Sequence, residues 1–379
     1  MESIKKANVS GKKVIVRVDF NVPIENGKIV DDTRIVSSLK TIKYLLDHNA
    51  KVILLSHLGR IKTKEDKEKY SLEIVAKHLS TLVNAPVYFV PVTRGDILEK
   101  TIENLESSEI VLVENTRFED YPKSLESSCD EALSKYWASL GDIFVFDAFG
   151  SSHRCHASTY GISKYLKSYA GFLVEEEVTM LNKAIHQRKT MILGGGKVDD
   201  KIDVINNLIN TCDKLLLGGA MCFTFLKAKG YSVGKNEVVE DKLEYAKNLL
   251  ETNSKKIILP VDFVSEHGVV EVENISDDDV LYDIGPKTIS KYKEAIFDSN
   301  LVLWNGPLGK YEDERFAEGT KSLMTYLNKQ SIVTILAGGD IVACAKKLGA
   351  KFTFVSTGGG ATLEYLEGKR FKTLERLQG

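Results

Sequence analysis

Short apolar runs rich in Val, Ile, Leu and Phe recur along the chain, separated by longer stretches in which apolar residues return at helical spacing. Runs of this length read as strands buried on both faces, and the amphipathic segments between them as crossover helices, so the alternation predicts an α/β protein with parallel sheets. The expected strands are residues 13–18, 51–55, 87–92, 109–113 and 142–147 in a first set. A second set covers 190–194, 214–218, 256–261, 299–304, 332–337 and 352–355. Residues 160–189 carry no strand-like run and instead predict a long helix from about 172 to 187. That gap marks a domain boundary, giving residues 1–170 and 171–362, with a charged, helix-prone tail of about 363–379 expected to pack back on the first domain. A chain of 379 residues, at roughly 150 per domain, also suggests two.

Composition narrows the function classes. Hydrophobic residues make up 43% and charged residues 27%, which excludes disorder as the main state. A formal net charge of −2 excludes an overall basic field for nucleic acid or an anionic membrane, so any anion site must be local. Five cysteines form no Cys-x-x-Cys pair and are an odd number, which suits buried thiols in a reducing compartment. The polar stretch Met1 to Lys13 lacks the apolar core of a signal peptide, and no apolar run has the length of a membrane span. The expectation is a soluble, cytoplasmic monomer.

In open α/β sheets ligands sit beyond the carboxyl ends of the strands, and there the two halves differ in kind. In the first half the strands run into RVDFN (Asp19, Phe20, Asn21), SHLGR (His57, Arg60), ENTR (Arg117) and FGSSHRCH (His153, Arg154, His156), and DDTR adds Arg34. A guanidinium fork matches phosphate or carboxylate, so several converging on one mouth would select anions. Arg17, inside a strand, reads as a structural ion-pair partner and is left out of the site. His153, Cys155 and His156 offer only a weak metal pattern, with no fourth ligand nearby.

In the second half the strand ends are glycine-rich: LGGGK, LLGGAM (Gly218, Gly219), WNGPLG (Asn305, Pro307), AGGD (Gly338, Gly339, Asp340) and STGGG (Gly359, Gly360). Glycines let backbone approach a phosphate, and helix N-termini then point amides at it, so this half predicts a nucleotide or polyphosphate site. Neither a Walker loop nor a G-x-G-x-x-G fingerprint is present, which counts against a two-domain NAD-dependent dehydrogenase. Lys197 and Lys201 are four apart and would share one face of the following helix, where a bound anion would offset their opposition to its dipole. Asp340 suits Mg²⁺ shared with nucleotide phosphates, or an N-cap. Small-anion chemistry in one domain and nucleotide chemistry in the other suggest phosphoryl transfer. With no base motif in sight, a carboxylate acceptor fits, being ionised already at neutral pH.

The segments RVDFNVP, SHLGR, ENTRFE, FGSSHRCHAS, ILGGGKVDDKI, LLGGAMCFTF, DIGPKT, LWNGPLGKYE, GGD and STGGGATLEYLEG, in this order over nearly the whole chain, resemble the phosphoglycerate kinase family. The resemblance implies two doubly wound parallel-sheet α/β domains joined by a hinge helix. It also implies reversible phosphoryl exchange between 1,3-bisphosphoglycerate with Mg-ADP and 3-phosphoglycerate with Mg-ATP. Carried over, it puts Asp19, Phe20, Asn21, Arg34, His57, Arg60, Arg117 and Arg154 around the phosphoglycerate. Arg34, Lys197, Gly359 and Gly360 would then serve the transferring group. Lys201, Gly218, Gly219, Asn305, Pro307, Glu312, Gly338, Gly339, Asp340 and Ile341 would bind the nucleotide, and Asp340 the metal. Ile341 stands where the family has Thr, Lys310 where an apolar residue is usual, and Tyr282 where Leu is common. The competing reading is a non-catalytic two-lobe module that binds a phosphorylated metabolite.

Overall fold

The computed structural model describes residues 1–196 and 199–379, with the backbone alone at 199–203. The chain divides into two compact units, Met1–Val178 with Arg370–Gly379, and Thr179–Lys369. The helix Phe172–His186 carries the chain from one to the other.

The first unit is built on a wholly parallel sheet. Its strands are β1 (Lys13–Val18), β2 (Lys51–Leu55), β3 (Val87–Val90), β4 (Ile110–Val113), β5 (Ile143–Asp147) and β6 (Ser168–Ala170), in the order β3-β4-β2-β1-β5-β6. Apart from their first residues β1, β2 and β5 are buried throughout, so both faces are covered and the sequence shows continuous apolar runs. Each fully buried Val, Ile or Leu contributes about 1.5–3 kcal/mol. The C-terminal segment closes this unit: Leu377 accepts from Glu2 N–H at 2.7 Å, Gly379 N–H donates to Ser168 at 3.0 Å, and Arg376 donates twice to the Ser163 carbonyl. Asp147, at the end of β5 and fully buried, accepts from the amides of Leu173 and Val174 and so caps the helix Phe172–His186.

The second unit repeats the plan with β7 (Lys189–Leu193), β8 (Cys212–Leu217), β9 (Ile257–Ile258), β10 (Leu301–Asn305), β11 (Val333–Ala337) and β12 (Phe354–Val355). Their order is β9-β8-β7-β10-β11-β12, again all parallel. Counted from β7 this is the 3-2-1-4-5-6 order of doubly wound sheets, in which the crevice between the first and fourth strands receives ligands. That crevice lies here between the ends of β7 and β10.

Three features depart from the sequence expectation. The stretch expected to be strand-free contains β6, a three-residue edge strand. The run 256–261 is not one strand: β9 stops at Ile258, and after Leu259–Pro260 the chain enters a three-stranded antiparallel sheet of Asp262–Ser265, Gly268–Glu271 and Leu281–Ile284. A short hairpin, Ile24–Glu25 with Lys28–Ile29, follows β1.

Candidate functional site

β1 ends at Val18, and the next residues open onto the sheet's carboxyl edge. Asp19 accepts from Arg34 Nη1 at 3.0 and 3.1 Å and from the Asn21 amide at 3.2 Å. Arg34 lies in the first turn of the helix Thr33–Asp47, and its Nη1 also reaches the Asn21 carbonyl. The Asn21 side-chain oxygen accepts from Gly59 N–H at 2.8 Å, while the Gly59 carbonyl accepts from Arg117 Nη1. The loops after β1, β2 and β4 are thereby tied around Gly59, with exposed Arg60 next in the chain. Beneath them Asn115 is fully buried and accepts from the amides of Leu58 and Arg117. It donates to the carbonyls of Leu58 and Tyr70, fixing two loops with one side chain.

Cations crowd this rim. Burial, with the charges of Arg17 and Arg154, lowers the pKa even of Arg117. Burial, reinforced by Arg17 and Arg117, pushes His57 well below the usual imidazole value and His156 to about 3. Both rings are therefore neutral at pH 7. Arg154 is exposed, with its Nε 2.9 Å from His153 Nε2. Asp19 and the fully buried Glu126 offset part of the charge, leaving a surface where an anion is favoured. One sequence expectation changes. Phe20 does not present its side chain, because the ring is fully buried in the core and its amide is spent on Ser56 Oγ at 2.8 Å.

In the second unit the crevice between β7 and β10 is laced by backbone. The Gly194 amide donates to Asn305, Gly195 to Pro307, Gly218 to Leu193 and Gly219 to Leu308. Gly218 and Gly219 therefore cannot offer those amides to a phosphate, as the sequence suggested. Their role is close packing: at Gly219, with φ +59°, a Cβ would stand 2.5 Å from the Gly195 nitrogen. Beside this lattice is a cavity of about 310 Å³ whose wall includes Gly219, Tyr282, Pro307, Lys310, Glu312 and Asp340. That volume suits a small ligand.

The helix Gly339–Lys347 begins at the end of β11 with Gly338 as its N-cap, so Asp340 is not the cap and instead lies in the first turn, exposed at the cavity. The amides of Gly339, Asp340 and Ile341 have no partner among the described residues, leaving a helix N-terminus free for an anion. The Ile341 side chain is fully buried in the core, so only its backbone can serve a ligand. Asn305 donates to the Ala337 carbonyl at 2.5 Å, and its Oδ1 is buried without a partner among the described residues. Gly359, φ +56°, caps the helix Gly360–Leu366. Lys197 lies outside the described residues, and of Lys201 only the backbone, within the helix Asp199–Leu208, is described.

Lys310 holds its ammonium 5.6 Å from the centre of the Tyr282 ring, which stacks on Phe316 at 4.4 Å. A larger cavity of about 650 Å³, walled by Tyr231, Lys255 and Lys291 near β9, contains none of the expected site residues. Sequence reasoning missed the share taken by Asn115 and Arg17 in building the first rim. Asn115 stands inside the ENTR segment and could have been found there. Arg17 could not, since a charge in an apolar strand gives no hint of what it faces.

Fold and rims define a two-unit, doubly wound α/β protein with an arginine-walled edge in one unit and a glycine-lined crevice in the other. Comparison with known proteins gives this class a family. The phosphoglycerate kinase family model matches residues 4–369. The phosphoglycerate kinase of Fusobacterium nucleatum is 49% identical, the match covering 99% of this chain and 98% of that protein. That of Lacticaseibacillus casei is 50% identical over 97% and 96%. The solved structure of phosphoglycerate kinase from Coxiella burnetii superposes with a TM-score of 0.87 at 35% identity, covering 99% and 98%. That from Pyrococcus horikoshii gives 0.88 at 30%, covering 100% and 98%. The chain belongs to the phosphoglycerate kinase family, and its activity is that of a kinase.

Proposed function

We propose that the protein transfers a phosphoryl group reversibly between 1,3-bisphosphoglycerate with Mg-ADP and 3-phosphoglycerate with Mg-ATP, as a monomer in the cytoplasm. The rim of Asp19, Asn21, Arg34, His57, Arg60, Arg117 and Arg154 holds the phosphoglycerate. The crevice of the second unit, with Asn305, Pro307, Glu312 and the amides of Gly338 to Ile341, holds the nucleotide. The observation that carries this reading is the knot of loops around Gly59, which gathers Asn21, Arg34 and Arg117 beside His57. No helix among the described residues is long and apolar enough to cross a membrane.

The chemistry follows from charge. The acceptor carboxylate is ionised at neutral pH and needs no base, so the obstacle is repulsion between anions. Arg34 keeps its Nε and Nη2 without a partner among the described residues, a fork suited to two oxygens. In this reading Arg34 and Lys197 neutralise the transferring group, Lys201 holds nucleotide phosphate, and Gly359 and Gly360 offer amides to the phosphoryl oxygens. Transfer requires the two ligands to meet in a water-excluding arrangement, which hinge closure about the helix Phe172–His186 would supply. Mg²⁺ enters as part of the nucleotide substrate. Asp340, a single exposed carboxylate at the cavity, fits an ion that takes one or two protein carboxylates plus phosphate and water, and there the ion would screen phosphate charge.

A coupled assay with ATP, Mg²⁺ and 3-phosphoglycerate tests the proposal. Turnover by the folded protein is expected. Binding of phosphoglycerate without turnover would favour the non-catalytic module instead.

A further inference from the structure

We propose that Arg17 is a positioning residue that fixes His57 as the neutral tautomer protonated at Nε2, so that the ring presents one N–H donor to the phosphoglycerate. The inference rests on the reading that His57 faces that ligand. A guanidinium has five N–H donors and no acceptor, and Arg17 Nη2 lies 3.0 Å from His57 Nδ1. Nδ1 must therefore accept, which leaves the ring proton on Nε2.

The guanidinium that imposes this is itself held at each of its three nitrogens. Arg17 lies within β1 with no solvent exposure, donates Nε to Ser158 Oγ at 2.8 Å, and donates Nη1 to the Val18 carbonyl. The Ser158 hydroxyl and amide both engage Glu126, a carboxylate with no exposure whose charge offsets that of Arg17. A chain of buried partners thus runs from Glu126 through Ser158 and Arg17 to His57, with every link closed to water. Such a network is costly to disturb, because each member would otherwise be an unpaired polar group.

The surroundings make the neutral ring the stable one. Besides Arg17 from β1, the charges that reach His57 are Arg117 after β4 and Arg34 from the helix Thr33–Asp47, while the nearby His156 after β5 is itself neutral. Asp19 and Glu126 are the acids facing Arg17. Burial and these cations act together against a protonated imidazole. His57 therefore reads oxygen atoms as acceptors, adds no charge to the arginine rim, and keeps that role across neutral pH.

The test uses the full chain labelled with ¹⁵N-histidine, with His57 assigned by the signals that vanish in His57→Gln. Long-range ¹H–¹⁵N spectra of the free protein should give the Nε2–H pattern, unchanged from about pH 5.5 to 8.5, and 3-phosphoglycerate should shift the Nε2 resonance. A proton on Nδ1, or titration within that range, overturns the lock. An Nε2–H ring that ignores 3-phosphoglycerate, in protein that still turns it over, overturns the placement of the ligand beside His57 while the lock stands. The double variant Arg17→Met, Glu126→Gln removes both buried charges together, so neither is stranded. In it both tautomers should appear, and KM for 3-phosphoglycerate should rise about tenfold with KM for ATP unchanged, the cost of one well-aimed hydrogen bond. A single tautomer and an unchanged KM would refute the positioning role, and the wild-type spectrum decides the matter if that variant does not fold.

Discussion

Arg34→Ala is the sharpest perturbation of the proposed chemistry. In the free protein Arg34 spends Nη1 on Asp19 and the Asn21 carbonyl, and its Nε and Nη2 face no partner among the described residues. Those atoms can make two parallel charge-assisted hydrogen bonds, each worth about 1.5–3 kcal/mol. Taking the lower figure for both gives about 3 kcal/mol, or a loss of roughly a hundredfold in kcat/KM. The coupled assay, run with saturating ATP and varied 3-phosphoglycerate, reads that loss directly. Arg34→Lys keeps the charge but not the fork and should recover only part of the activity. Asp19 loses its ion pair in the Ala variant, so a fall in Tm of a few degrees is also expected and must be measured beside the rate. An Ala variant with wild-type kcat/KM for 3-phosphoglycerate, or one altered only toward ATP, would refute the assignment of this residue.

Two further outcomes follow from the geometry. Asp340→Ala should raise KM for Mg-ATP by about tenfold while leaving KM for 3-phosphoglycerate and Tm close to wild type, because the side chain is exposed in the first turn of its helix and has no side-chain hydrogen bond or ion pair among the described residues; a shift in the phosphoglycerate KM alone would show that the acid belongs to the other ligand. Asp147→Asn should change how stability depends on pH: burial raises this carboxyl to about 7, against about 4 unfolded, so the native state holds a proton that the unfolded state releases. Wild-type stability from this group then falls as pH rises from about 4 to 7. The Asn variant should lack that fall and gain up to about 4 kcal/mol relative to wild type by pH 8 in denaturant titrations, and a difference between the two that stays constant across the window would contradict the reading.

Much of the architecture was legible because the two main sheets are buried on both faces. A strand such as Val14–Val18 shows as a continuous apolar run, and β1, β2, β5, β7 and β11 fall within a residue of their expected limits. The same signal is silent for Ser168–Ala170, which is too short and too mixed in character, and for the antiparallel sheet, where Asp262 is buried and Val269 is exposed. At the sites, residue type was readable but direction was not. Phe20 and Ile341 stand in site motifs yet turn their side chains into the core. Gly218 and Gly219 look like phosphate loops, but their amides are consumed by neighbouring backbone. Arg17 lies in a strand whose residues are nearly all buried, so its position alone could not reveal the histidine that it holds.

In the proposed reaction each unit receives one reactant. Amide hydrogen exchange on the full chain, with saturating 3-phosphoglycerate alone and with Mg-ATP alone, tests it most directly. 3-Phosphoglycerate should slow exchange around Asn21, Gly59 and Arg117, and Mg-ATP should slow it at Gly339 to Ile341. Protection of the same unit by both ligands, or of the two in reverse, would contradict it.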